Sequence, residues 1–157
     1  MQLSQQSRGL KLTELQDSAS TEESQAVTPQ VDPYLADLVR IINCTTTSSI
    51  GITLVVSGLT ISGSLISGER YFEGIQAMMR GAEGDDSDFA SYWDPAVVHY
   101  RRAREGLEGN VSLPSFIHLR DAVAFPGGST NSVGLWRGKL ESVDSWSLGQ
   151  LGKTQDR

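Results

Sequence analysis

The residues that most often carry chemistry are few in this chain. It has two histidines, His99 and His118, and one cysteine, Cys44. A metal centre needs three or four His, Cys or carboxylate ligands at compatible spacing, and no such spacing surrounds these residues. Serines are plentiful, but none sits in a Gly-x-Ser-x-Gly elbow. A triad is a matter of geometry rather than of sequence order, yet nothing here marks a nucleophile. Ile61-Ser62-Gly63-Ser64 and Gly127-Gly128-Ser129 lack the glycine–lysine pattern of a phosphate cradle and read as strand and turn residues. The expectation is no enzyme, no cofactor and no metal.

Two features suit binding instead. His118, Arg120, Arg137 and Lys139 share the polar side of predicted strands. If those strands pair, they make a basic stripe on an acidic protein, with His118 a surface or interface histidine. The second feature is a segment over 83–112 whose acidic half (Glu83, Asp85, Asp86, Asp88, Asp94) precedes a basic half (Arg101, Arg102, Arg104), with Trp93 between them. Opposite charges on one chain attract a copy of that chain, with screening by salt. A solvated face and a locally folded lid are the plainer readings of the two.

Composition narrows the class. The chain has 157 residues, 38% hydrophobic and 20% charged, with 16 glycines. That length suits one domain plus tails, with long irregular stretches. A net charge of −6 opposes a phosphate backbone, so nucleic acid is not the expected partner. One cysteine excludes an internal disulfide and fits a reducing cytoplasm. Asn43-Cys44-Thr45 and Asn110-Val111-Ser112 match the glycosylation triplet, and both read as chance matches. The start, MQLSQQSRGL, has no basic end followed by an apolar run. The most apolar stretch, 50–66, carries too many Ser, Thr and Gly for a membrane helix.

The elements that must position these residues follow from periodicity. Residues 1–30 hold no aromatic and are expected to be a disordered Gln/Ser/Thr-rich tail, in which Leu10, Leu12 and Leu15 could form a short docking segment, a solvated tail being the plainer reading. A single domain is expected over 31–151, with 83–112 as a charged helical insertion and 152–157 as a polar tail. Asp32 and Pro33 open a helix whose Leu35, Leu38, Val39 and Ile42 form one face. Ile52, Leu54 and Val56 alternate in a strand; Ser57-Gly58 turns it, and Leu59, Ile61, Gly63 and Leu65 alternate in the return. Glycine in that apolar row predicts a bulge or a close backbone approach.

A helix over about 69–80 presents Phe72, Ile75 and Met79, ended by Gly81 and Gly84. Another runs from Asp94-Pro95 to about Glu105. Ile117, Leu119, Val123 and Phe125 share one parity in a strand over 116–125. Residues 133–141 and 143–149 read as a hairpin-like pair, with Trp136, Leu140, Trp146 and Leu148 as its apolar set. The sum is an α+β domain: a curved antiparallel sheet of about five strands, in the limit a small open Sm-like barrel, with an N-terminal helix and helices inserted between strands.

Several blocks carry a resemblance. Gly51-Ile52-Thr53-Leu54, Ile61 through Gly68, Tyr71-Phe72-Glu73, Phe116 through Arg120, Leu135 through Leu140, Val143-Asp144 and Leu148-Gly149 occur in that order. Together they resemble the GvpU family of gas vesicle accessory proteins over roughly 50–75 and 115–152. The resemblance implies a cytoplasmic, non-enzymatic protein linked to how vesicles associate and cluster, without cofactor or catalytic residues. The long N-terminal stretch and residues 83–112 depart from the family pattern.

The expected function is binding to the vesicle shell protein, to other accessory proteins or to itself, so that vesicles gather. Open sheet edges make a homo-oligomer the expected state. The alternatives are an assembly chaperone for the shell protein and a small Sm-like nucleic-acid-binding module. No membrane partner is expected.

Overall fold

The computed structural model describes residues 31–83, 88–106 and 113–152. The expected tail at 1–30, the stretches 84–87 and 107–112 of the expected insertion, and the end 153–157 lie outside the described residues.

Helix α1 (Pro33–Asn43) starts where the sequence places it. Oδ1 of Asp32 accepts from the amides of Tyr34 (2.8 Å) and Leu35 (3.1 Å), satisfying two donors at the open helix end. Oδ2 of the same carboxylate accepts from the indole of Trp146 at 3.3 Å. The hydrogen bond from the Leu35 amide holds this carboxyl below its ordinary pKa; desolvation opposes it, and the Trp146 indole and the Tyr34 amide add to the lowering. Leu35, Ala36, Val39 and Ile42 are buried.

Strands β1 (Ile50–Val56) and β2 (Leu59–Ile66) form the predicted hairpin. Ser57 and Gly58 have φ of 50° and 79°, the left-handed pair that a two-residue turn between twisted strands requires. Three helices follow: α2 (Gly68–Glu83), α3 (Asp88–Ser91) and α4 (Asp94–Arg104). The chain then returns to the sheet as β3 (Phe116–Phe125), β4 (Asn131–Lys139), a 3₁₀ turn (Leu140–Ser142) and β5 (Val143–Leu148). The five strands form one antiparallel sheet in the order β4-β3-β2-β1-β5.

That order corrects the expected hairpin between 133–141 and 143–149. β4 pairs with β3 at one edge, and β5 pairs with β1 at the other. Five flat strands at ~4.8 Å spacing would separate those edges by about 19 Å. The three-residue 3₁₀ link between them advances only ~2 Å per residue. The sheet must therefore curl until its edges approach, as expected of a strongly curved sheet. Leu140, at 1% exposure, closes the curl from inside. Its amide donates to the carbonyl of Ser115 at 3.0 Å.

Inside the curl, Ile52, Leu54, Ile61, Leu65, Ile117, Leu119, Ala122, Ala124 and Leu140 meet Leu35, Val39 and Ile42 of α1. Val123 and Phe125 do not belong to this set, contrary to the parity expected from sequence. Pairing shifts between Ser62 and Ser64 on β2, so Gly63 faces the extra residue of a bulge in β3. Asp121 in that bulge has a φ of 51°. The bulge moves the inward parity from Ile117 and Leu119 to Ala122 and Ala124. A Cβ on Gly63 would stand 3.0 Å from the Arg120 carbonyl oxygen and 3.1 Å from the Ala122 Cα, the close approach that the glycine implied.

Other boundaries also moved. α2 passes through Gly81 instead of stopping there, and α3 has no counterpart in the sequence reading. Leu148 is 60% exposed and contributes little to the core, whereas Trp146 packs against it. Among the described residues no helix is long and apolar enough to cross a membrane.

The bulge yields a direct test. Gly63→Ala should lower stability by about 1–3 kcal/mol, because backbone atoms rather than flexible side chains must move. Chemical denaturation measures it; an unchanged midpoint would contradict the close strand approach.

Candidate functional site

One face of β3 looks away from the core toward the inserted helices, and there the sequence placed a surface histidine. His118 is instead fully buried, at 0% exposure. Its ring centroid lies 4.8 Å from Tyr71, 5.4 Å from Tyr100 and 6.0 Å from Phe72. Alternation alone assigns His118 to the non-core face, and that much holds. The inserted helices cover that face, which strand periodicity does not report.

Arg137 is the cross-strand partner of His118. Its Nε–H donates to His118 Nε2 at 3.2 Å. A guanidinium cannot accept, so Nε2 is the bare nitrogen and the ring hydrogen sits on Nδ1. Nδ1 is buried and has no hydrogen-bond partner among the described residues. Burial, and secondarily the charge of Arg137, push the His118 pKa down to about 3. The Arg137 guanidinium lies over the Phe116 ring at 3.6 Å and over Phe72 at 5.5 Å. Burial raises the Tyr100 phenol above its ordinary pKa, partly offset by Arg137.

The helices are fastened over this layer by polar ties. Glu69 of α2, only 8% exposed, accepts from Arg101 Nε at 2.7 Å and Arg104 Nε at 3.0 Å. Desolvation raises the Glu69 pKa, and the two arginines outweigh it, leaving a net lowering. Gln76 of α2 donates to Asp94 Oδ1 (2.6 Å) and to the Ala90 carbonyl (3.2 Å). Trp93 stacks on Phe72 at 5.5 Å. Asn43 at the end of α1 accepts from the Gly68 amide at 2.9 Å. At Gly68 any Cβ would meet the Tyr100 ring at 2.3 Å, so the α4 aromatic rests directly on the start of α2.

The rest of the outer sheet face is closed differently. Thr53 donates to the Gly149 carbonyl (2.9 Å), Gln150 to Ser64 Oγ (2.7 Å), and the Leu151 amide to Ser62 Oγ (2.9 Å). The alternating Ser and Thr of the hairpin thus anchor the segment after β5, a role that sequence reasoning missed.

The expected basic stripe is not one surface. His118 is inside, and Arg137 is turned into the aromatic layer. Arg120 lies 3.8 Å from Asp121 and is 42% exposed, and Lys139 pairs with Glu141 at 3.0 Å. In the charged segment, Arg101 and Arg104 hold Glu69, Trp93 is half-buried, and Arg102 faces solvent. What the structure does gather is a cleft of about 520 Å³ between the end of α1, α4 and residues 113–116. Arg40, Phe72, Tyr100, Leu113, Phe116 and Arg137 are among its walls. Among the described residues no three His, Cys, Asp or Glu side chains converge as metal ligands.

The buried histidine makes stability depend on pH with a defined sign. Its folded pKa lies far below the ordinary 6.5, so the unfolded chain binds a proton between about pH 3 and 6.5 that the folded chain does not. Stability contributed by the neutral ring is complete above pH 6.5 and falls as pH drops, at up to ~1.4 kcal/mol per unit. In His118→Phe the part of this slope between pH 6.5 and about 5 should vanish. Urea midpoints across that range measure it, and an unchanged slope would refute the buried neutral state.

Comparison with known proteins follows this geometry. A family model described as gas vesicle protein GvpU-like matches residues 32–151, from the Asp32 cap to the segment that closes the outer sheet face. No curated protein and no solved structure matches. The match spans the curled sheet, α1 and the inserted helices alike, and the chain belongs to the GvpU-like family of gas vesicle proteins.

Proposed function

We propose that this chain is a non-enzymatic accessory protein that works at gas vesicles in the cytoplasm. It binds the vesicle shell protein, other accessory proteins and copies of itself, so that vesicles cluster and buoyancy is organised. The family match supplies the vesicle. The observation that supports association is the sheet itself: β4 and β5 are its two terminal strands, each paired on one side. Pairing of β4 of one copy with β5 of the next is heterologous and leaves a free edge on each, so copies can add. Lys139 on β4 and Asp144 on β5 are exposed and of opposite sign, which favours that arrangement at low salt.

A second surface suits the shell. Phe89 of α3 and Tyr92, just after it, are 66% and 74% exposed. Large exposed aromatics are the usual anchors of protein contacts. A vesicle repeats one shell subunit many times, so weak single contacts add through multivalency. The nucleic-acid alternative has less support, given the net charge of −6 and the dispersal of the basic stripe.

Purified vesicles mixed with the protein should sediment faster and scatter more light. The double variant Phe89→Ser with Tyr92→Ser should need about tenfold more protein for the same effect. Deleting the gene should leave well-formed but dispersed vesicles. Missing or misshapen vesicles would favour the chaperone instead, and neither pelleting nor any change in clustering would end the proposal.

A further inference from the structure

We propose that the cleft between α1, α4 and residues 113–116 binds an apolar protein segment bearing a carboxylate, with Arg137 receiving the anion. The inference goes beyond vesicle association. It concerns a different surface and is read on the purified protein, so either proposal can fail alone.

Charge is the first argument. Arg40, Arg104 and Arg137 line the cleft, and among the described residues no acidic one does. Arg40 is paired with Asp37, and Arg104 with Glu69. Arg137 has no carboxylate within ion-pair distance among the described residues. It is nevertheless held in place: Nε is committed to His118, and the guanidinium plane rests on Phe116. The cation is permanent and oriented; a hydrogen bond to the Tyr100 hydroxyl fixes it further, and the remaining amino N–H groups are donors suited to a carboxylate. Phe72 and Tyr100 stand beside it as apolar walls.

Shape is the second argument. The cleft, about 520 Å³, has the size of a ligand site. It adjoins a smaller depression of about 310 Å³, and the two share Leu113, Pro114, Ser115 and Phe116. Such an extended trough suits a stretch of chain with anchoring side chains better than a compact small anion. Leu113, 68% exposed at the shared wall, is an apolar contact for it.

The test uses the full-length protein and two short peptides, acetyl-Ser-Leu-Glu-Phe-Ser-amide and its Gln counterpart, followed by calorimetry. The Glu peptide should bind about tenfold tighter, with the difference shrinking as salt rises. Bound peptide should also slow alkylation of Cys44, the sole cysteine, which lines the cleft. Arg137→Gln should abolish the preference for Glu. Leu113→Glu, which leaves the Arg137 contacts intact, should weaken the Glu peptide by a similar factor. Equal binding of the two peptides, no binding at millimolar concentration, or a folded Arg137→Gln that keeps the preference would overturn the proposal. If Arg137→Gln does not fold, unchanged binding to Leu113→Glu overturns it. Competition by hexanoate or inorganic phosphate as strong as that of the peptide would reassign the site to small anions and overturn the assignment to a protein segment.

Discussion

Three residues, Leu140–Ser142, connect strands that sit at opposite edges of the sheet, and the architecture rests on that short connection. A chain segment cannot be stretched beyond its covalent reach, so the sheet has to bend toward closure. The bend gives the domain an interior that α1 alone can complete. It also explains why a chain with so many Ser, Thr and Gly still builds a core: the inward set is small and is drawn from every strand. Closure is incomplete: among the described residues β4 and β5 are each paired on one side and not with each other.

The inserted helices add a second, partly polar layer on the outer face. Its members are buried in satisfied combinations: Glu69 between two arginines, Gln76 between a carboxylate and a carbonyl. Such groups are costly to bury alone and tolerable when fully partnered. On β3, His118 is matched at Nε2 only, and among the described residues its Nδ1, like Arg120 Nε, has no hydrogen-bond partner. Its neutral ring lets an arginine sit against it without a carboxylate nearby. The region between the helices and the sheet therefore keeps a cationic character that the net charge of the chain does not suggest.

Much of this could be read in the sequence where local physics decides. The Asp32-Pro33 start, the Ser57-Gly58 turn and the close approach at Gly63 were all legible, since each depends on a few neighbouring residues. The α+β class and the curved sheet followed from periodicity. What failed was non-local. The four residues of α3 are too few for a periodic signal. Asp121 shifts the strand parity through a backbone angle that its residue type permits but does not announce. A continuous run from Leu135 to Leu148 resembles a hairpin until one knows that the sheet curls. His118 and Arg137 were rightly placed on one face, but the cover over that face comes from residues tens of positions earlier. The cleft needed three separate segments to meet, and no spacing along the chain encodes that.

The double duty of Asp32 has one more consequence. Its two oxygens join the opening of the first described helix to Trp146, which lies 114 residues further along, in the last strand. The start of the folded unit therefore lies beside its last strand, a few residues before the described chain ends. A short artificial bridge could make this topology circular, and a new break could then be introduced at an exposed turn such as Ser57-Gly58 without disturbing the order of the strands.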